Sequence, residues 1–176
     1  MKALKIILII VVVLAAIYFI GGLLLPKTYS VSRSVAINAP DSVVYKNVAD
    51  FNNFLKWNPW SKMEPEAKEV ISGPVSQPGH MYTWDGEKTG QGQMTIERTE
   101  PYKLIDFELK FIKPFESLAD TKFSFEPAAN QTTVSWTMQG NNNTTMEKWM
   151  SLMMDGMLGK DFESGLKSLK EISEKE

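Results

Sequence analysis

The chain has 176 residues, 43% hydrophobic and 23% charged, with no Cys and a single His, His80. This length and balance suit one domain with one sizeable core and exclude wholesale disorder. The absence of Cys excludes disulfides, Cys-ligated zinc, iron–sulfur clusters, thiol nucleophiles and a lipid-modified cysteine. One His cannot build a multi-histidine metal site, although carboxylates can still hold a hard cation; no cofactor is expected.

Residues Ile6 to Leu25 carry no charge. At ~1.5 Å rise per residue this run spans ~30 Å, the hydrocarbon thickness of a bilayer. Tyr18 lies towards one end, where aromatic anchors are common. A cleaved signal peptide would have an apolar stretch of ~7–15 residues and a small-x-small ending. Here the run is longer and ends Leu23-Leu24-Leu25-Pro26. Residues 1–27 are therefore expected to form a single-pass transmembrane anchor, and 28–176 one domain beyond it. Lys2, Lys5 and the terminal amine precede the run and Lys27 and Arg33 follow it, so the positive-inside rule favours an extracytoplasmic domain. Every Asp and Glu follows the run, where acidic residues outnumber basic ones. That balance argues against a nucleic-acid partner, because such binding rests largely on phosphate neutralisation by Lys and Arg.

From Thr28 the periodicity changes to two. Tyr29, Val31, Val35 and Ile37 share one face, with Ser30, Ser32 and Ser34 on the other, which predicts a half-buried strand. Asn38-Ala39-Pro40-Asp41 stops it, with Asp41 expected as the N-cap of a helix carrying Val43, Val44, Asn47 and Val48. Asp50 to Trp57 predicts a second short helix, ended by Asn58-Pro59. Strands are then expected at Glu69–Gly73, Gly79–Asp85, Gln91–Thr99, and around Ile105–Phe111, Thr121–Phe125 and Thr132–Met138. Their short connections predict antiparallel neighbours, with a hairpin at Asp85-Gly86. The Gly-rich stretch from Gly86 to Gly92 lacks a Lys-Ser/Thr ending and a following helix, so it reads as a hairpin loop rather than a phosphate loop.

The remainder, from Thr145 to about Glu174, has helical periodicity. Met146, Trp149, Met150, Met153 and Met157 form one stripe; Leu158, Phe162, Gly165, Leu169 and Ile172 form another, rotated by roughly 140°. A straight helix cannot present both stripes to one sheet. A break at Gly156 and Gly159 is therefore expected, with the Met-rich part lying over a pocket mouth.

Several motifs carry a resemblance. They are Ile37-Asn38-Ala39-Pro40, Val43-Val44-Tyr45, Asp50-Phe51 through Trp57-Asn58-Pro59-Trp60, and Gly165-Leu166 with Leu169-Lys170. In order and spacing, residues 28–175 resemble the START-like superfamily in its polyketide cyclase/dehydrase and lipid-transport branch, the SRPBCC proteins. The resemblance implies an α+β helix-grip fold: a curved antiparallel sheet of six to seven strands wrapped around a long C-terminal helix, often with an apolar cavity between. The superfamily includes lipid carriers, hormone receptors, aromatase/cyclases and chaperone activators, so the fold does not settle function. The N-terminal anchor is an addition to the minimal domain and counts against a freely diffusing carrier.

Trp57, Trp60, Tyr82, Trp84, Phe107, Phe123 and Trp136, with Met150, Met153 and Met157, are the residues expected to line such a cavity. The same residues would equally fill a solid core. His80 and Arg33 share strand parity with apolar residues and are the candidate polar contacts. His80 is also the one candidate acid or base, and Arg33 the one candidate partner for a ligand carboxylate. The expected function is a membrane-tethered, non-enzymatic domain that binds a small hydrophobic ligand or lipid. A cyclase- or dehydrase-type enzyme and an interaction module with a filled core remain the alternatives.

Overall fold

The computed structural model describes residues 2–176. A helix, α1 (Lys2–Leu24), leads into β1 (Thr28–Ile37). Three short helices follow: α2 (Asp41–Ala49), α3 (Phe51–Trp57) and α4 (Pro59–Met63). Then come β2 (Lys68–Ser72), β3 (Met81–Asp85), β4 (Gln91–Glu100), β5 (Leu104–Lys113), β6 (Ser117–Ala128), β7 (Gln131–Asn141) and the last helix, α5 (Thr145–Ser173). The seven strands form one antiparallel sheet in the order β1-β7-β6-β5-β4-β3-β2. The curved sheet grips α5, the α+β helix-grip arrangement expected from the sequence.

Strand register defines a near end of the sheet. There Thr28 faces Asn141, Ala119 faces Gly140, Phe111 faces Ser117, Gln91 faces Lys113 and Asp85 faces Gln91. The α1–β1 connection, the β3–β4 and β5–β6 hairpins and the start of α5 all gather at this end. At the opposite, far end the interior is solid. Ile96, Ile105, Phe107, Phe123, Phe125 and Val134 of the sheet pack with Val44, Val48, Phe51 and Trp57 of α2 and α3, and with Leu166 and Leu169 of α5. Each such large apolar side chain contributes ~1.5–3 kcal/mol by leaving water.

Local chemistry sets the helix boundaries. Asp50 caps α3 by accepting from the Asn52 amide, and Asn58 caps α4 by accepting from the Trp60 amide. The α4 turn was not foreseen: Asn58-Pro59 ends α3 but also starts a new helix, because proline is well placed at a first helical position. Asp41 is not a cap either. It lies in the first turn of α2, follows Pro40, and its carboxylate accepts from the adjacent Ser42 amide.

The expected break in α5 does not occur. The helix is continuous from Thr145 to Ser173, opened by a capping box between Thr144 and Glu147. Its buried residues all lie in its second half: Gly159, Phe162, Gly165, Leu166, Leu169 and Ser173. Extended backwards, that face carries Leu158, Met154 and Ser151, not the methionine stripe. Met146, Met150, Met153 and Met157 consequently point outward and are 49–62% exposed. Two glycines, each costing ~1 kcal/mol of helix propensity, do not outweigh continuous backbone hydrogen bonding in so long a helix.

The first half of α5 meets α1 instead. Trp149 Nε1 donates to the Tyr18 carbonyl at 3.1 Å and Lys148 Nζ to the Gly22 carbonyl at 3.1 Å. A Cβ on Gly21 would come within 2.7 Å of the Trp149 ring, and one on Gly22 within 2.4 Å of Thr145, so this pair of glycines lets the helices touch. Asn142 ties down the connection, its amide N–H bonding the Lys27 carbonyl and its side chain the Pro26 carbonyl. The remainder of α1 is exposed on all sides, and the helix is long and apolar enough to cross a membrane.

Candidate functional site

Towards the near end the sheet and α5 separate and leave a cavity of about 160 Å³. Trp84, Met94, Leu109, Phe111, Thr121 and Met138 line it from the near halves of their strands, and Trp136 from the middle of β7. Leu158 and Phe162 of α5 form the opposite wall, and Phe54, Trp60 and Ser61 close it from α3 and α4. The lining is overwhelmingly apolar and aromatic. Trp136 is its centre: it stacks on Phe162 with ring centroids 4.1 Å apart, and on Phe123 at 4.9 Å. Trp60 meets Trp136 edge-on at 5.8 Å. Gly165 permits this close packing, since a Cβ there would lie 2.9 Å from Trp136 Cζ3. Gly92 serves similarly on the other side, where a Cβ would lie 2.4 Å from the Trp84 ring that crosses it.

The rim is polar and held by two carboxylates. Glu69 accepts from the Tyr82 hydroxyl at 2.8 Å and the Ser61 hydroxyl at 2.9 Å, joining α4, β2 and β3. Burial pushes the Tyr82 phenol above its ordinary range, and the bond to Glu69 adds to the rise. Glu64, just beyond α4, accepts the amides of Glu87, Lys88 and Thr89 and the Thr89 hydroxyl. The Gly-rich hairpin is thus a cradle of amides already occupied by the protein's own carboxylate. The Thr89 bonds, followed by those of Lys88 and Glu87, pull the Glu64 carboxyl down to about 2.

Of the expected lining residues, Trp60, Tyr82, Trp84 and Trp136 border the cavity. Trp57, Phe107 and Phe123 do not; they are fully buried in the solid far half, where Trp57 Nε1 donates to the Asn47 carbonyl. Met150, Met153 and Met157 lie on the outward face of the unbroken α5. His80 is completely buried. Its Nε2 accepts from the Phe51 amide at 3.2 Å, its Nδ1 pairs with the Ser72 carbonyl at 3.1 Å, and its ring packs on Phe51. Both ring nitrogens are committed to backbone, so His80 joins α3 to β2 rather than serving the cavity. Arg33 lies across α5, bonded to Asp155 and Glu163 at 2.8 Å each. Hydrogen bonds to those two carboxylates raise its pKa further, and they leave it unavailable to a ligand in the cavity.

Thr121, Met138, Leu158 and Phe162 also border the cavity, outside the set of residues expected to line it. Thr121 carried a legible signal, being a polar residue at an inward position between Ala119 and Phe123. No signal marked Glu64, whose role depends on a hairpin more than twenty residues away. Among the described residues there is no cluster of three or more metal-ligating side chains.

The family described as polyketide cyclase/dehydrase and lipid transport matches residues 28–174. Solved structures of similar fold include a protein of Chromobacterium violaceum, 14% identical, covering 83% of this chain and 97% of its own, at a TM-score of 0.62. One from Thermobifida fusca is 18% identical, covering 82% of this chain and 92% of its own, also at 0.62. Another from Nitrosospira multiformis is 18% identical, with coverage of 82% and 95% and a TM-score of 0.60. Likeness at these identities speaks to the fold alone. No match was found among curated proteins.

Proposed function

Because this chain belongs to the polyketide cyclase/dehydrase and lipid-transport family, we propose that it is a membrane-tethered domain that holds a small hydrophobic ligand of lipid character in the near-end cavity. The observation that carries this reading is the uneven filling of one interior. The far half is packed solid, whereas the near half keeps an apolar cavity of about 160 Å³ walled by aromatic rings. A hollow apolar space with a polar rim is the usual form of a small-molecule site.

The tether supports the choice of ligand. The chain enters the sheet from α1 at the same end as the cavity. The outward methionine face of α5 begins beside the α1 residues Tyr18, Gly21 and Gly22, and Phe115 and Leu118 stand 77% and 60% exposed at the β5–β6 hairpin of the same end. If α1 spans a bilayer, these side chains meet its surface, where apolar groups are favoured and aromatic residues such as Tyr18 and Trp149 collect. The cavity then sits next to a reservoir of hydrophobic molecules.

Native mass spectrometry of the full chain, released from mild detergent, tests the reading. The expected result is the intact chain, N-terminus included, with a bound apolar molecule that Leu158→Trp eliminates by filling the space. A bare chain that also takes up no apolar dye would refute the ligand, and a mature chain beginning near residue 27 would refute the tether.

A further inference from the structure

Only two buried side-chain polar atoms among the described residues lack a hydrogen-bond partner: Thr121 Oγ1 and Trp136 Nε1. Both belong to side chains that line the cavity, and both residues are 3% exposed. Elsewhere the interior meets the usual requirement that buried polar groups be paired. Asn47 bonds Ser173, Thr132 bonds the Ala39 carbonyl, Trp57 bonds the Asn47 carbonyl and His80 is bonded at both nitrogens. The two exceptions therefore share one location.

The two residues are also neighbours in the sheet. Thr121 pairs with Met138 and Phe123 with Trp136 across β6 and β7, so Thr121 and Trp136 are diagonal neighbours on the inner face of the sheet. Trp136 turns its Cζ3 towards Gly165. In an indole that carbon lies opposite the Cε2–Nε1 side, so the N–H points away from α5's tightly packed turn. The indole N–H can only donate, and the Thr hydroxyl can donate too. The charge around the cavity is one-sided. Its lining includes Glu64 and Glu69 and no Lys, Arg or His.

We infer that the cavity selects a neutral hydrophobic molecule whose inserted end carries an acceptor oxygen, best a ketone, ester or quinone carbonyl, which accepts from Trp136 Nε1–H and Thr121 Oγ1–H. A carbonyl oxygen has two lone pairs for two donors. A carboxylate of the same shape would enter past two glutamates and find no cation, so fatty acid anions are rejected. The volume suits one six-membered ring or a short branched segment, since an engineered apolar cavity of about 150 Å³ accepts benzene. The rest of a longer ligand would extend through the rim. This inference rests on the proposed reading that the cavity holds a ligand, and names its chemical class.

Three probes of one shape separate the possibilities: acetophenone, ethylbenzene and benzoate. The full chain, ¹⁵N-labelled at tryptophan and held in lipid nanodiscs, is titrated with each; the indole N–H signals of Trp60 and Trp84, which also line the cavity, report binding in every variant, and the Trp136 signal is the one that Trp136→Phe removes. Acetophenone should bind about five- to tenfold tighter than ethylbenzene, the usual range for one or two hydrogen bonds made in a dry site. It should shift the Trp136 N–H downfield, and benzoate should not bind. Thr121→Val and Trp136→Phe should each narrow the gap between acetophenone and ethylbenzene while ethylbenzene still binds, which also reports that the variants are folded. Equal binding of acetophenone and ethylbenzene, or a preference for benzoate, would overturn the carbonyl inference and leave the cavity reading intact. If none of the three binds, both fall together.

Discussion

The two halves of the sheet–helix interior are built from the same strands and the same helix, yet one is a core and the other a cavity. In the far half, α2 and α3 supply a third layer of side chains, and Phe51 and Trp57 fill the space between sheet and α5. In the near half only the short α4 and Phe54 of α3 reach over the sheet, and aromatic rings line the space without filling it. The difference teaches that aromatic content does not distinguish a wall from a plug. What matters is whether a second element brings side chains into the same volume.

The sharpest way to break this comparison is truncation on either side of the boundary. Trp57→Ala in the far half should cost ~3–5 kcal/mol, with a rise in the melting baseline of exposed apolar surface. Leu158→Ala, beside an existing void and already partly exposed, should cost well under half as much and enlarge the cavity. Comparable losses in chemical denaturation would mean that the two halves are packed alike.

Filling the void sharpens the comparison from the other direction. Met94→Phe should cost ~1 kcal/mol or less, because the extra volume enters empty space, whereas overpacking a full core costs ~1–3 kcal/mol. The same substitution should abolish binding of an apolar dye to the full chain. Retained binding at unchanged affinity would place the ligand elsewhere.

Two glycines of α5 should respond with opposite signs. A Cβ at Gly156 meets nothing within 4 Å, so Gly156→Ala should stabilise by up to ~1 kcal/mol through helix propensity alone. A Cβ at Gly159 would lie 2.0 Å from the Arg33 guanidinium, so Gly159→Ala should displace Arg33 from Asp155 and Glu163 and destabilise. Thermal melts of the two variants give the comparison directly, and equal signs would refute it.

The smallest effect concerns the rim. Glu64 is held down to about 2, below the ~4.3 of an unfolded glutamate, by the hairpin amides and the Thr89 hydroxyl. A depressed carboxyl stabilises the fold above the unfolded value and loses that contribution as pH falls towards the folded one. Wild type should therefore melt above Glu64→Gln at pH 6, and the gap should close between pH 4 and pH 2. A gap independent of pH would show that the amides hold the side chain without regard to its charge.

Much of the fold was legible because it rests on short-range periodicity. The alternation of Tyr29 to Ile37, of Ile105 to Phe111 and of Thr132 to Met138 placed strands correctly, and the antiparallel pairing followed from connections too short for crossovers. The uncharged run before Pro26 became a helix for the same local reason. The site was legible only in part. Trp60, Tyr82, Trp84 and Trp136 border the cavity, but so do Thr121, Leu158 and Phe162, while Trp57, Phe107 and Phe123, of the same chemistry and parity, do not. Which aromatic side chain faces empty space depends on where α2, α3 and α4 come to rest, and that is decided by packing between residues distant in sequence.

The α5 methionines show the same division most clearly. Sequence alone determined that residues 145–173 are helical and carry two apolar stripes. It placed Leu158 and Phe162 on the sheet side, but it did not determine that the helix stays whole or that the other stripe is left facing outward beside α1. A helix offers its full circumference, and only the tertiary structure decides which part of it is covered. Likewise, His80 and Arg33 were marked by their chemistry, but their roles were set by partners that folding alone brought near: the Phe51 amide and Ser72 carbonyl for one, Asp155 and Glu163 for the other. Periodicity is a property of neighbours along the chain, whereas a cavity is a property of surfaces that meet.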